Sequence, residues 1–301
     1  MYRIIRMIGL SAFLLFTLSI YGGLGSLDAD ERTTWSEQWK VETSHGQETV
    51  TVLWVNLSNP KVEIESALAD KVIGKTTTLE KLVQSQTDSE GLAVAGINGT
   101  FFNAYDDFQP TGTVIRYGEV EHIGNSGSVG VMNAAGQFTV EPLFIAIEGG
   151  INDQWEWPNN WYAWNKNHFY TDPLASMVFD ASYQGPKPTH SFTGIVVEAG
   201  VVKTIQKGIF TIPGDGFLIL TQDKTIIDKF KVGYKAAYRM KGYVNAYGTG
   251  KHTDEAIDLS QLRTAFGAGP TLVRDGKIVV NPTGEGFTEA KITVNSATRS
   301  L

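Results

Sequence analysis

The chain has 301 residues, 42% hydrophobic and 19% charged, the balance of a folded globular protein and not of a disordered or collagen-like one. The formal net charge is -7 and no long run of lysine or arginine occurs, which argues against a nucleic-acid binder with its basic stripe. Cysteine is absent, so a disulfide framework, a thiol nucleophile and a thiolate metal site are all excluded.

At the N-terminus Arg3 and Arg6 precede an apolar run from Met7 to Ile20, followed by Tyr21 and the small residues Gly22 and Gly23. A positive flank, a short apolar core and a small-residue segment are the order of an export signal, and the run is shorter than the roughly 20 residues a spanning helix prefers. Residues 1–25 are therefore expected to be a signal peptide or a membrane anchor, and the protein to be secreted or held at the cell surface. Residues 26–48 are polar and read as a linker into a domain covering 49–301.

That domain opens with two alternating segments, 49–57 and 61–68, separated by the turn pair Asn59-Pro60. Together they predict an N-terminal β-hairpin. Thr77 and Glu80, three residues apart ahead of Leu82 and Val83, have the pattern of a capping box and predict a helix start. The apolar run 92–97 predicts a buried strand ending in Asn98-Gly99, and strand ends of this kind are where ligands sit in open α/β sheets. Shorter strands with glycine turns are expected at 112–118, 128–132, 138–140, 193–197, 210–212 and 216–221. A short helix is expected at 258–263, and then a loop, strand and turn over 267–277. The predicted fold class is α+β (or α/β), a mixed twisted sheet with flanking helices.

Residues 95–103 (AGINGTFFN) and 267–277 (GAGPTLVRDGK), with Arg299 near the end of the chain, occur in an order and at spacings that resemble the phosphodiester glycosidases. These are relatives of the lysosomal uncovering enzyme, which removes N-acetylglucosamine from a sugar–phosphate–sugar diester. The resemblance runs from about Trp54 to Leu301, and Thr298 departs from the proline usual before the arginine. It implies hydrolysis of a glycosyl phosphodiester in cell-envelope or exopolysaccharide metabolism, with a carbohydrate or sugar-phosphate as partner. It also implies a strand, a helix and an Asp-Gly-Gly-x-Ser loop beyond the arginine, so a C-terminally truncated chain is expected. The alternative is a non-catalytic carbohydrate-binding protein of the envelope with the same fold.

Within this reading Asn98, Gly99, Asn103, Gly269 and Arg299 are candidate substrate-binding residues. An amide side chain both donates and accepts, and a guanidinium matches two phosphate oxygens in one plane. Asn98-Gly99 is equally a turn-forming pair, and Phe101 and Phe102 read as core at least in part. Asp106 and Asp107 are candidate catalytic carboxylates for glycoside hydrolysis; an adjacent acidic pair on a loop is also an ordinary solvated feature. Four of seven tryptophans crowd 152–170, and of these Trp161 and Trp164 are candidate sugar platforms, or lid residues packing on the domain. No cofactor is certain and no metal ligands are assigned. A divalent cation held by Asn and Asp oxygens is allowed but not derivable from these residues.

Overall fold

The computed structural model describes residues 2–7, 33–43, 46–87, 91–186, 191–208, 210–246 and 251–288. The architecture corrects the expected fold class. The chain is mostly β, 48% strand and 9% helix, with two α-helices among the described residues and several antiparallel sheets. The physical reason lies in the connections. Strands such as Val129–Asn133 and Phe138–Glu141, or Thr193–Glu198 and Val201–Lys207, follow one another through turns too short to hold a crossover helix, and so they pair antiparallel.

Three sheets form the body. One has the strand order Glu119–His122, Val114–Arg116, Leu262–Gly267, Val129–Asn133, Phe138–Glu141. A second orders Asn165–Lys166, Ser176–Phe179, Gly216–Thr221, Thr193–Glu198 and Val201–Lys207. A third orders Trp161–Ala163, Leu143–Ile151, Ala236–Ala246 and Lys251–Ile257. Their inward residues share one core, in which Ile115, Ile145, Ile147, Val178, Ile195, Ile219 and Ala265 are shielded from solvent.

A small parallel sheet lies beside them. Val62–Ala67 and Leu92–Asn98 both pair with Tyr2–Met7, which runs between them. The first residues of the expected signal segment are thus a central strand here, and residues 8–25 of that segment lie outside the described residues. The parallel sheet is stitched to the antiparallel one by polar contacts in a buried seam. Thr264 Oγ1 accepts from Ser66 N at 2.8 Å, and Ser66 Oγ donates to the Ala265 carbonyl at 3.0 Å.

The predicted helix is present as Leu79–Ser85, capped one residue later than the sequence pattern indicates: Thr78, not Thr77, accepts from Lys81 N. Seven residues are too few for a helix to persist alone. It is held by Leu82, buried against Ala67 and Ala93 of the parallel sheet.

The expected hairpin is differently partnered. Gly46–Val55 pairs with Thr34–Thr43, residues read as linker, while Val62–Ala67 turns to the parallel sheet. The signal for the missed strand was a polar one. Trp35, Trp39 and Val41 alternate with Ser36, Gln38 and Lys40, and put Trp35 opposite Trp54 with stacked rings 5.9 Å apart. Two further expectations shift. Residues 210–212 form no strand, and the helix at 258–263 is a single 3-10 turn, Leu259–Gln261, after which Leu262 begins a strand.

Candidate functional site

The two segments that carry the family resemblance meet. Leu92–Asn98 delivers Asn98 and Gly99, both half-buried, at its end, and Thr100 follows fully buried. Thr100 Oγ1 accepts from Gly112 N at 2.8 Å. Gly112 in turn lies against Gly267, the last residue of Leu262–Gly267. A Cβ built on either would fall within 2.6 Å of the other's Cα, closer than any side chain tolerates. Gly267 N donates to the Thr113 carbonyl at 2.6 Å, which locks the approach.

Beyond Gly267 the chain turns through Ala268 and Gly269 into cis Pro270. Gly269 sits at φ +111°, a conformation glycine alone adopts without strain, with Ser128 N, Glu285 Oε2 and the Phe287 ring just beyond the missing Cβ. Glu285 fastens this turn. One carboxylate oxygen accepts from both the backbone N–H and the hydroxyl of Ser128 at 2.9 Å, and the other accepts from Thr271 N at 2.8 Å. Ser128, Thr271 and Glu285 are all buried. Phe287 meets Phe101 edge to face at 6.1 Å, and Phe101 keeps 48% of its surface exposed, so one of the two phenylalanines forms an open wall and not core. Nothing in the sequence pattern singled out Glu285; its partners stand 157 and 14 residues away.

Residues 103–109 form an excursion from this wall. It closes where Asn103 N donates to the Gln109 carbonyl and Phe108 N to the Asn103 carbonyl, both at 3.0 Å. Gln109 anchors it by imitating backbone. Its amide oxygen accepts from Phe169 N at 2.6 Å and its amide N–H donates to the Phe169 carbonyl at 3.2 Å. The adjacent acids separate in character. Asp106 and Asn103 are exposed. Asp107 is buried, and burial holds its carboxyl above the usual carboxylate range, against the opposing hydrogen bond from Gln109 N.

The tryptophan-rich segment is divided by the fold. Trp161 is 1% exposed and belongs to the core, packed on Phe217, Phe230 and Tyr238. Trp155 lies beneath the Arg239 guanidinium and Trp157 beneath the Lys229 ammonium. Trp164, 41% exposed, leans on the exposed Tyr170 at 6.2 Å and alone fits a surface platform among the two tryptophans proposed. Tyr170 is joined through Phe169 to Gln109, which puts this pair on the side of the 103–109 excursion.

Arg299 lies outside the described residues. Among the described residues no group of three or more His, Cys, Asp or Glu gathers as a metal site, and no helix is long and apolar enough to cross a membrane. Two surface clefts lie elsewhere. One is lined by Trp155, Asp153 and Lys235 and the other by Pro60, Glu63 and Arg263; both hold charges already paired, Asp153 with Lys235 and Glu63 with Arg263. Neither contains Asn98 or Asp107.

No protein-family model and no curated protein matches this chain. A solved structure, the crystal structure of a hypothetical protein from Synechocystis, is similar with a TM-score of 0.66 at 22% identity. The match covers 86% of this chain and 46% of that one, so the chain spans about half the length of its structural neighbour. At this identity the likeness is one of fold.

Proposed function

We propose that the chain recognises a sugar joined through its anomeric carbon to a phosphodiester and hydrolyses that linkage, outside the cytoplasm, on envelope or exopolysaccharide sugar-phosphates. The observation that supports this reading is the meeting of residues 98–103 and 267–271 at the Gly112–Gly267 contact, with the 103–109 excursion from the same wall carrying a buried aspartate whose carboxyl holds its proton more tightly than usual. In this reading Asn98 and the half-buried backbone at Gly99 and Gly269 bind the sugar and phosphate, with Arg299 as the phosphate's cation. Asp107 is the general acid. The bond from the anomeric carbon to the phosphate oxygen breaks, the Asp107 proton passes to that oxygen, and a water oxygen joins the carbon. The water's proton goes to a base, for which Asp106, exposed and adjacent to Asp107 in the chain, is the candidate. A carboxyl kept protonated by burial suits the first role.

The second reading, sugar binding without chemistry, draws on the exposed Trp164–Tyr170 pair, whose flat faces suit the apolar face of a pyranose. The deciding experiment is incubation of the full-length protein with a UDP-sugar and a synthetic sugar-1-phosphodiester, beside Asn98→Ala, Asp107→Asn and Arg299→Ala. Release of free sugar that is lost in the folded variants supports the hydrolase. Retention of sugar-polymer binding with no turnover on any substrate overturns it and leaves the binding protein.

A further inference from the structure

His122 and His168 form an enclosed imidazole pair against residues 110–112, the segment that carries the Gly112–Gly267 contact. His122 Nδ1 lies 2.9 Å from the Gly112 carbonyl oxygen, and His122 Nε2 lies 2.9 Å from His168 Nδ1. The ring centroids are 4.9 Å apart and His122 is wholly buried.

The proton positions follow from valence. A carbonyl oxygen only accepts, so His122 Nδ1 carries a proton. In a neutral ring Nε2 is then an acceptor, and it takes the proton of His168 Nδ1. Both rings are fixed as Nδ1–H tautomers, and His168 Nε2 is the one nitrogen left to take a further proton. The charges around the pair come from Lys166 on Asn165–Lys166, paired with Asp180 at 2.6 Å, and from Glu121 on Glu119–His122, paired with Arg116 at 2.8 Å. Lys166 opposes a second cation beside it, and burial holds both imidazoles below their ordinary range.

We propose that His122 and His168 are positioning residues of the candidate site: as a neutral pair they hold Gly112 against Gly267, and because a cation is disfavoured in their enclosed place beside Lys166, acid favours an opened arrangement in which the pair meets solvent and the hold on Gly112 is lost. The effect on turnover rests on the hydrolase reading above; the ring tautomers and the hold on Gly112 do not.

The test uses the full chain labelled with 15N, with ring nitrogens read by two-bond proton–nitrogen spectra and amide exchange followed at Gly112 and Gly267. Two of the five histidines are expected as Nδ1–H tautomers that titrate well below an unperturbed ring, which titrates near about 6.5. As those two take up protons, exchange at Gly112 and Gly267 should rise by about tenfold or more. In His168→Gln the side-chain amide still donates to His122 Nε2 but cannot titrate, so acid should speed exchange at both glycines less than in wild type, His122 alone remaining to take a proton on opening. Nε2–H tautomers, ordinary titration, or protonation without faster exchange at the two glycines would each overturn the proposal. If substrate is turned over, the acid limb of the rate profile should move to lower pH in His168→Gln, and an unmoved limb also refutes it. Absence of any turnover tells against the hydrolase alone, because the tautomer and exchange results stand without it.

Discussion

Gly112 and Gly267 touch backbone to backbone, although 155 residues separate them in the chain. Each is followed or preceded by a segment bearing the site: Gly112 is tied to Thr100 and His122, and Gly267 leads into the turn clamped by Glu285. The contact exists only because neither residue has a side chain. It sets the distance between the Asn98 strand end and the Gly269 turn as one rigid relationship.

Replacing Gly267 by alanine tests that relationship. The new methyl would meet the Gly112 Cα at 2.4 Å and Thr113 N at 3.0 Å, both backbone atoms that cannot rotate away. Overpacking of this kind costs about 1–3 kcal/mol. Gly267→Ala is expected to lower the melting temperature by several degrees and to weaken sugar-phosphate binding more than its stability loss explains. Gly136→Ala, where no atom lies within 4 Å of the added methyl, serves as the control. It sits at φ +79° on a surface turn, so it should lose some stability to backbone strain yet keep binding. Calorimetry and binding on both variants decide it.

Asp107→Asn should move stability and activity in opposite directions. Burial raises the folded-state pKa of Asp107 above its unfolded value, so the folded protein binds the proton more readily than the unfolded one. Stability from this residue is present at low pH and is lost as pH rises through the folded pKa. An amide carries no charge at any pH and relieves that loss. The variant is expected to melt at or above wild type at pH 7 and, if Asp107 is the general acid, to lose about 100- to 10,000-fold in turnover. A variant that melts lower at pH 7 while matching wild type at pH 4 would show that Asp107 is instead held as a needed carboxylate.

The parts of this fold legible in the sequence were those whose signal is local. The strand at 92–98, the glycine turns, the capped helix at 79–85 and the Asp275-Gly276 turn, with φ of +49° and +73°, all declare themselves within a few residues. What could not be read was pairing. The alternation at 61–68 is the same whether Val62–Ala67 partners its neighbour in sequence or a distant parallel strand, and only the second buries Ile64 and Ser66 together. The overestimate of helix has its reason in the connections: most strands follow one another through turns too short to hold a helix, and the parallel pairing that a helix can bridge is confined to the small sheet of Val62–Ala67, Tyr2–Met7 and Leu92–Asn98 among the described residues. In the site, Asn98 and Gly269 were found through motif, whereas Glu285, Gln109 and the histidine pair act across 14 to 157 residues and leave no periodic trace.

Trp161 and Trp164 stand three residues apart and are expected to behave as opposites. Trp161 is enclosed by Phe217, Phe230 and Tyr238, with its indole N–H directed at the Gly150 carbonyl at 3.4 Å. Its truncation to alanine leaves a large cavity and should cost about 3–5 kcal/mol. Trp164→Ala removes an exposed ring and should stay within about 0.5 kcal/mol of wild type. If the Trp164–Tyr170 face holds sugar, Trp164→Ala abolishes polysaccharide retention in affinity electrophoresis while its denaturation curve overlies that of wild type. Undiminished retention removes the platform from this face.

Acid sensitivity of the fold itself follows from the histidine pair. His168 has its pKa lowered to about 4 by burial, whereas in the unfolded chain it returns to the ordinary value of 6.5. Between those values the unfolded state binds the proton and the folded state does not, so stability falls as pH drops below about 6.5 and goes on falling to about 4. The full window corresponds to about 3 kcal/mol from His168 alone, with His122 adding in the same direction. Asp107 opposes the trend, gaining stability as it protonates at the lower end of the range. Urea unfolding at pH 7.5, 6, 5 and 4 is expected to show a midpoint that declines most steeply between the second and third of these conditions. In His168→Gln that decline should be reduced but not abolished, since a neutral amide has no proton to gain on unfolding while His122 keeps its own contribution. A wild-type midpoint that is flat across the range would mean that the His168 ring reaches solvent freely enough to titrate in the folded protein.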